Sequence, residues 1–209
     1  MAIKEDIQKA LVELRKTKER KFDETLDLVI NLQKFDLKKS QVNLFVSLAH
    51  PAKEKKVCAF LETKSDQVDT ITGAEFKKYT DKKLLKNMVA KYDFFIAQAS
   101  LMPKVATTFG RVLGPVGKMP SPQMGILMNV NDKTIEEIKS KINSGVKIKA
   151  KEASIKLAVG KRSMKDEDLL DNIMTIYKAI EKVLPRAREN IKNVEVKFTM
   201  TKPQKIKVR

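Results

Sequence analysis

The apolar residues of this 209-residue chain keep one period at its two ends and another in its middle, and that change limits the folds open to it. Leu26, Leu28, Ile30 and Leu32 alternate with Thr25, Asp27 and Asn31, the pattern of a strand with one face buried. Val42, Leu44, Val46 and Leu48 repeat it after a loop rich in Lys and Asp, so the two read as neighbouring strands. Alternation returns at Val146 and Ile148 and then at Ile155, Leu157 and Val159, which reads as a hairpin, and again at Val194, Val196 and Phe198. Between these regions the apolar residues come in unbroken runs, Val57–Leu61 and Phe94–Ala97, separated by helical stretches such as Leu84–Lys91. Contiguous runs alternating with helices indicate a parallel sheet covered on both faces.

Helices complete this pattern. Ile3, Ile7, Leu11 and Leu14 recur at helical spacing. Pro103 stands where a helix can begin, with Val105, Phe109 and Val112 on one face and Gly114 beyond its end. Asn131 or Asp132 can cap a helix carrying Ile135, Ile138 and Ile142, which Gly145 would terminate. Ser163 and Asp166 resemble a capping box for a helix with Leu170, Ile173, Tyr177, Ile180 and Leu184 on one face, and Pro185 stops it.

Charge narrows the function. There are 43 Lys and Arg against 26 Asp and Glu, a net of +17, in a chain that is 42% hydrophobic and therefore globular. A charge of that size attracts a polyanion, and nucleic acid is the commonest one in a cell. A solvated lysine surface is the bland alternative. An anionic membrane would call for an amphipathic helix with bulky apolar residues, and Trp is absent. The longest apolar run, Val57–Leu61, is far shorter than the roughly 20 residues of a membrane span and shorter than a signal peptide's apolar region. One cysteine, Cys58, forms no internal disulfide and fits a reducing compartment, so the expected location is the cytoplasm. The excess is graded, from +2 over residues 1–52 to +6 over 53–145 and +9 over 146–209, which makes the last third the expected electrostatic footprint.

Catalytic groups are scarce. His50 and Cys58 are the only residues of their kinds, so no zinc cluster of Cys and His can assemble, and Cys58 lies within an apolar strand as a core residue would. Glu136-Glu137 and Asp166-Glu167-Asp168 fall where first turns of helices are expected and oppose the helix dipole there. The stretch Gly110–Pro120 contains Gly117-Lys118, but Val112 and Met119 stand where a phosphate-binding loop needs glycine and Ser or Thr. It reads instead as a rigid Gly/Pro loop after a helix. No catalytic residue, metal or cofactor is expected.

Leu113–Pro120, reading Leu-Gly-Pro-Val-Gly-Lys-Met-Pro, closely resembles the signature of the L-one family of ribosomal proteins in its archaeal form. Lys21-Phe22-Asp23-Glu24-Thr25, Ala158-Val159-Gly160-Lys161 and Thr199-Met200 resemble the family's RNA-facing motifs, in the family's order, so the likeness spans essentially the whole chain. It implies two domains: a discontinuous α+β domain from residues 1–52 and 146–209, and an inserted Rossmann-like α/β domain at 53–145. It further implies binding to the ribosomal RNA of the large subunit's mobile stalk, beside the exit site for deacylated transfer RNA, whose release the stalk assists. For many members it implies repression of their own messenger RNA, with the protein a monomer off the ribosome and no membrane involved.

The residues this resemblance marks as RNA-binding are Lys21, Phe22, Glu24, Thr25, Gly160, Lys161, Arg162, Ser163, Thr199 and Met200. By chemistry, Lys21, Lys161 and Arg162 would contact phosphates, Phe22 and Met200 would pack on sugar or base surfaces, and Glu24 and Thr199 would bond 2′-hydroxyls or base edges. Without RNA, Phe22 would be a core aromatic and Glu24 a solvated carboxylate. Two departures stand out. Thr201 replaces the glycine that usually follows Thr-Met, and Leu48-Ala49-His50-Pro51 has proline where the family has glycine, in the first strand of the two-stranded hinge that the resemblance implies between the domains, so a stiffer hinge is expected. The rival reading is an α/β enzyme acting on a phosphorylated small molecule, for which Lys118 and Asn129 are the polar groups on offer; a third is a nucleic-acid binder with no fixed site.

Overall fold

The computed structural model describes residues 2–36, 42–122, 125–128, 130–150 and 152–206. The chain divides into two compact units, Met1–Ala52 with Ser144–Arg209, and Lys53–Asn143.

The first unit is built on an antiparallel sheet. Strand β1 (Thr25–Leu32) lies between β8 (Ser154–Lys161) and β9 (Ile191–Phe198), and β10 (Gln204–Ile206) adds to the far edge of β9. Leu26, Leu28, Ile30 and Leu32 point to one face and are buried, as their alternation requires. Helices α1 (Ala2–Arg15) and α5 (Asp166–Val183) cover that face. They contribute Ile7, Leu11 and Leu14 from α1, and Leu170, Ile173, Tyr177 and Ile180 from α5, to a single core. Each fully buried Leu or Ile there contributes roughly 1.5–3 kcal/mol. Pairing across β1 and β8 slips by one residue between Leu26 and Asp27, so Val159 and Gly160 are consecutive buried residues on β8. Gly160 uses this placement: a Cβ there would stand 2.2 Å from Leu169 Cδ2.

Two expectations about pairing fail. Strand β2 (Asn43–Ser47) does not lie beside β1 but pairs with β7 (Gly145–Lys149) in a sheet of two strands. Correspondingly, β7 and β8 form no hairpin, because each takes a distant strand, β2 or β1, as its ladder partner. Alternation specifies which face is buried and leaves the partner open.

The second unit carries a parallel sheet in the order β4 (Asp69–Thr72), β3 (Val57–Leu61), β5 (Phe94–Gln98) and β6 (Ile126–Leu127). Every residue of β3 is buried, because helices cover both faces. Helices α2 (Lys82–Lys91) and α3 (Met102–Val116) enclose Phe60, Phe95 and Phe109 with Phe76. On the opposite side, α4 (Asp132–Ser144) packs Ile135 and Ile142 on Val57, Ala59, Leu61 and Ile96. The fold class is thus mixed: an antiparallel sheet with helices on one face, and a parallel sheet between helices.

Local chemistry corrects several element ends. Helix α3 does not stop before Gly114; it runs through Gly114 and Pro115 to Val116, so seven of the eleven residues of the expected Gly/Pro loop are helical. Gly117, at φ 78°, ends it: Gly117 N–H donates to Gly114 O (3.0 Å) and Lys118 N–H to Leu113 O (3.1 Å), the paired closure of a Schellman motif. Pro115, inside the last turn, has no N–H to donate back to Arg111 O, so the ladder loses a bond just before the helix ends. Gly145 takes no left-handed cap but begins β7 directly after α4, and Glu136-Glu137 fall in the second turn of α4. Ser163 does not cap α5, whose N-cap is Lys165, although Asp166, Glu167 and Asp168 do occupy its first turn. Among the described residues no helix is long and apolar enough to cross a membrane.

Candidate nucleic-acid interface

The antiparallel ladder brings the three motif segments to one end of the first unit's sheet. Thr25 opens β1 opposite Lys161, the last residue of β8, and Leu26 pairs with Phe198, the last residue of β9. Segments separated by more than 130 residues therefore emerge together.

A buried ion pair ties them. Arg162 Nη1 donates to Glu24 Oε2 at 2.7 Å, with the Glu24 side chain 1% exposed and that of Arg162 10%. The other carboxylate oxygen of Glu24 accepts the Met200 N–H (3.1 Å). Arg162 Nη2 donates to Thr17 O (2.8 Å) and Arg15 O (3.3 Å), and the guanidinium stacks 5.2 Å from the Phe198 ring centroid. One carboxylate and one guanidinium thus hold the turn after β9, the end of α1 and the turn after β8 in register. Glu24 is not the solvated carboxylate expected of it without RNA. Burial leaves it and Arg162 engaged with each other and with backbone, an arrangement in which a charge tolerates removal from water.

Smaller contacts complete the frame. Asp23 accepts from Ser163 N (3.1 Å) and Ser163 Oγ (2.9 Å) and faces Lys161 Nζ at 3.6 Å. Desolvation raises its pKa, but the Ser163 hydrogen bonds and the Lys161 charge outweigh it and hold the carboxyl below its ordinary value. Thr199 Oγ accepts the Thr25 N–H (3.1 Å) and donates to Thr25 O (3.4 Å). Thr201 Oγ accepts the Phe198 N–H (2.9 Å) and its own N–H donates to Phe198 O (3.0 Å), closing the turn. Thr201 has no positive φ, so this turn does not need the family's glycine. Gly160 owes its identity to Leu169 beneath it.

What faces outward is apolar and basic. Phe22 is 52% exposed and Met200 60% exposed, so Phe22 is not a core aromatic. Lys21 is exposed and joined to no other described residue, while Lys161 is half-buried beside Asp23. Lys18 and Arg20, which the motif reading passed over, are also exposed just before Lys21. Asp23 and Arg15 were passed over too. Asp23 lay inside the quoted motif, whereas nothing local marks Arg15, whose guanidinium donates to Asp166 Oδ1, Arg162 O and Met164 O.

Cys58 is fully buried in the second unit, and burial pushes its thiol up to about 12, whereas His50 belongs to the first unit. The His50 main chain is held by Asn172, which accepts from His50 N (3.3 Å) and donates to His50 O (2.6 Å). Lys118 Nζ donates to Val89 O (2.8 Å) and Tyr92 O (2.7 Å), closing the C-terminal end of α2, so the lysine of the Leu113–Pro120 signature is a helix cap. Asn129 lies outside the described residues. Among the described residues no group of three or more His, Cys, Asp or Glu is placed to hold a metal.

Comparison with known proteins agrees with the motifs. The sequence profile of the Ribosomal protein L1p/L10e family matches residues 14–202. The chain is 35% identical over 199 residues to the large ribosomal subunit protein uL1 of Methanosarcina acetivorans, covering 90% of this chain and 91% of that protein. It is 32% identical over 201 residues to uL1 of Cenarchaeum symbiosum, covering 90% of each. With uL1 of Nanoarchaeum equitans it shares 30% over 196 residues, 89% of this chain and 92% of that protein. With its motifs in order and its relatives matched along nearly their full length, the chain belongs to the Ribosomal protein L1p/L10e family, in its archaeal form.

Proposed function

We propose that this protein is a constituent of the large ribosomal subunit and binds a folded element of its ribosomal RNA through the end of the sheet where β1, β8 and β9 meet. The observation that carries this reading is the exposure of Phe22 and Met200, two large apolar side chains, on a frame made rigid by the buried Glu24–Arg162 pair. In water such exposure is unfavourable; against a sugar or an unstacked base it becomes contact area. Lys21 and Lys161 supply phosphate contacts, and the Thr199 and Ser163 hydroxyls are suited to 2′-hydroxyls. Thr25, Gly160, Glu24 and Arg162 act as the frame and hold the contacting segments in place.

Family membership supports the finer reading: a place on the mobile stalk in the cytoplasmic ribosome, assistance to the release of deacylated transfer RNA from the exit site, repression of the protein's own messenger through a mimic of the ribosomal site, and a monomeric state off the ribosome. The role is one of binding and positioning, with no reaction catalysed.

The test is a gel-shift titration on a fragment of stalk ribosomal RNA against a duplex of equal length. The whole chain should prefer the fragment at moderate salt, and a chain joining residues 1–52 to 144–209 should bind it nearly as well. If residues 53–143 alone carried the affinity, the interface would be misplaced.

A further inference from the structure

The second unit has a groove that RNA binding at the first does not use. It runs between α2 and α3 with a volume of about 470 Å³. Its floor is Val89, Ala90, Val112, Pro115 and Val116, and Lys86 and Arg111 stand on its rim. The inward face of α3, carrying Val105, Phe109 and Leu113, is fully buried, so Val112 and Val116 form a second apolar stripe, one helical turn apart. Val116 is 52% exposed, although it falls within the family signature. Lys118 also borders the groove, but its ammonium is engaged with the α2 carbonyls. Lys86 and Arg111 are exposed, and neither side chain is joined by a hydrogen bond or ion pair to another described residue.

From this arrangement we infer that the groove docks a protein segment that is both aliphatic and acidic, with leucine or isoleucine side chains entering between α2 and α3 and flanking carboxylates meeting Lys86 and Arg111. Three observations favour that occupant. The volume falls in the range of about 300–1,000 Å³ typical of specific clefts. The floor is aliphatic, with no aromatic ring among its lining residues, so it lacks the stacking platform on which single-stranded nucleic acid is held. The rim presents two unengaged cations on a chain of net charge +17, which favours an acidic partner, and the Arg111 fork can take a carboxylate through two hydrogen bonds. Apolar anchors set between two helices are the geometry of helix-in-groove recognition.

The probe is a fluorescein-labelled peptide of Leu and Glu with its leucines at helical spacing, compared with an isomer of the same composition whose leucines are scattered. Titrated with the whole chain and followed by anisotropy, the ordered peptide should bind saturably and about tenfold or more tighter than the isomer. Val116→Glu should weaken it by about tenfold or more and Arg111→Glu several-fold, since each places a negative charge against the peptide's carboxylates. Both positions are exposed, so thermal melting and affinity for the stalk RNA fragment should stay at parent values, which separates this site from the RNA interface. Equal binding of both peptides would reduce the groove to bulk charge attraction and overturn the proposal. An unchanged peptide affinity in Val116→Glu would overturn it too. Loss of RNA affinity in Val116→Glu would make the groove an RNA surface instead.

Discussion

Replacing Glu24 by glutamine keeps the shape of a side chain that is 1% exposed and removes its charge. Arg162 would then remain among Arg15 O, Thr17 O and the Phe198 ring with no counter-charge. Breaking a buried pair from one side costs about 3–5 kcal/mol, because the surviving charge stays out of water. The amide oxygen of glutamine still accepts one hydrogen bond, from Arg162 or from Met200 N–H, which offsets about 1 kcal/mol. The net loss is therefore about 2–4 kcal/mol, a large part of the roughly 5–15 kcal/mol that holds a domain together, and lowers Tm on the order of 10 °C. Amide exchange at Leu28 and Val196 in increasing urea follows this unit separately from the other. Glu24→Met combined with Arg162→Met should be less destabilised than the sum of the two single changes, because the two charges leave together, even though the Arg15 and Thr17 carbonyls lose a donor and Met200 N–H loses its acceptor. RNA affinity should fall in all of these variants, since the turns carrying Phe22 and Met200 lose their common tie. A loss below about 1 kcal/mol for Glu24→Gln, or strict additivity in the double variant, would refute the account of the frame.

Thr201→Gly removes the hydroxyl that accepts from Phe198 N and adds backbone freedom, so it should destabilise by about 1–2 kcal/mol and leave RNA binding no tighter; a gel-shift titration showing a clear gain in affinity would mean that the threonine obstructs RNA. Lys118→Met withdraws the ammonium from Val89 O and Tyr92 O and should speed amide exchange along α2, at a cost of about 1–3 kcal/mol, with affinity for stalk RNA unchanged. Asp23 should titrate in carbon-detected NMR below its ordinary 3.8. A carboxyl held low in the folded state stabilises above its unfolded value and loses that contribution as pH falls through the folded one. Asp23→Asn should thus destabilise at neutral pH and match the parent below the folded midpoint; a midpoint above 3.8 would contradict the Ser163 and Lys161 contacts.

Several features follow from the sequence alone, for a local reason. Alternation at Leu26–Leu32 and at Val194–Phe198 and the unbroken run Val57–Leu61 report whether one or both faces of a strand are buried, and burial obeys the period of the backbone. The layering of both sheets was therefore legible, and the motif order with the charge gradient pointed to RNA. Only the tertiary structure decided which strands pair. Strand β1 takes β8 and β9, more than 120 residues away, and β2 takes β7, because ladder partners are set by chain closure and helix cover rather than by the strand's own residues. Element ends were also decided there: Gly114 and Pro115 read as breakers, yet Gly117, with Lys118 bonded back to Leu113, ends α3 one turn later. The roles of charged residues were hidden for the same reason. Glu24, Arg162 and Lys118 look in sequence like any solvated charges of a basic chain. Their jobs, as a buried tie and a helix cap, come from Met200, Thr17, Val89 and Tyr92, which only folding brings within hydrogen-bonding distance.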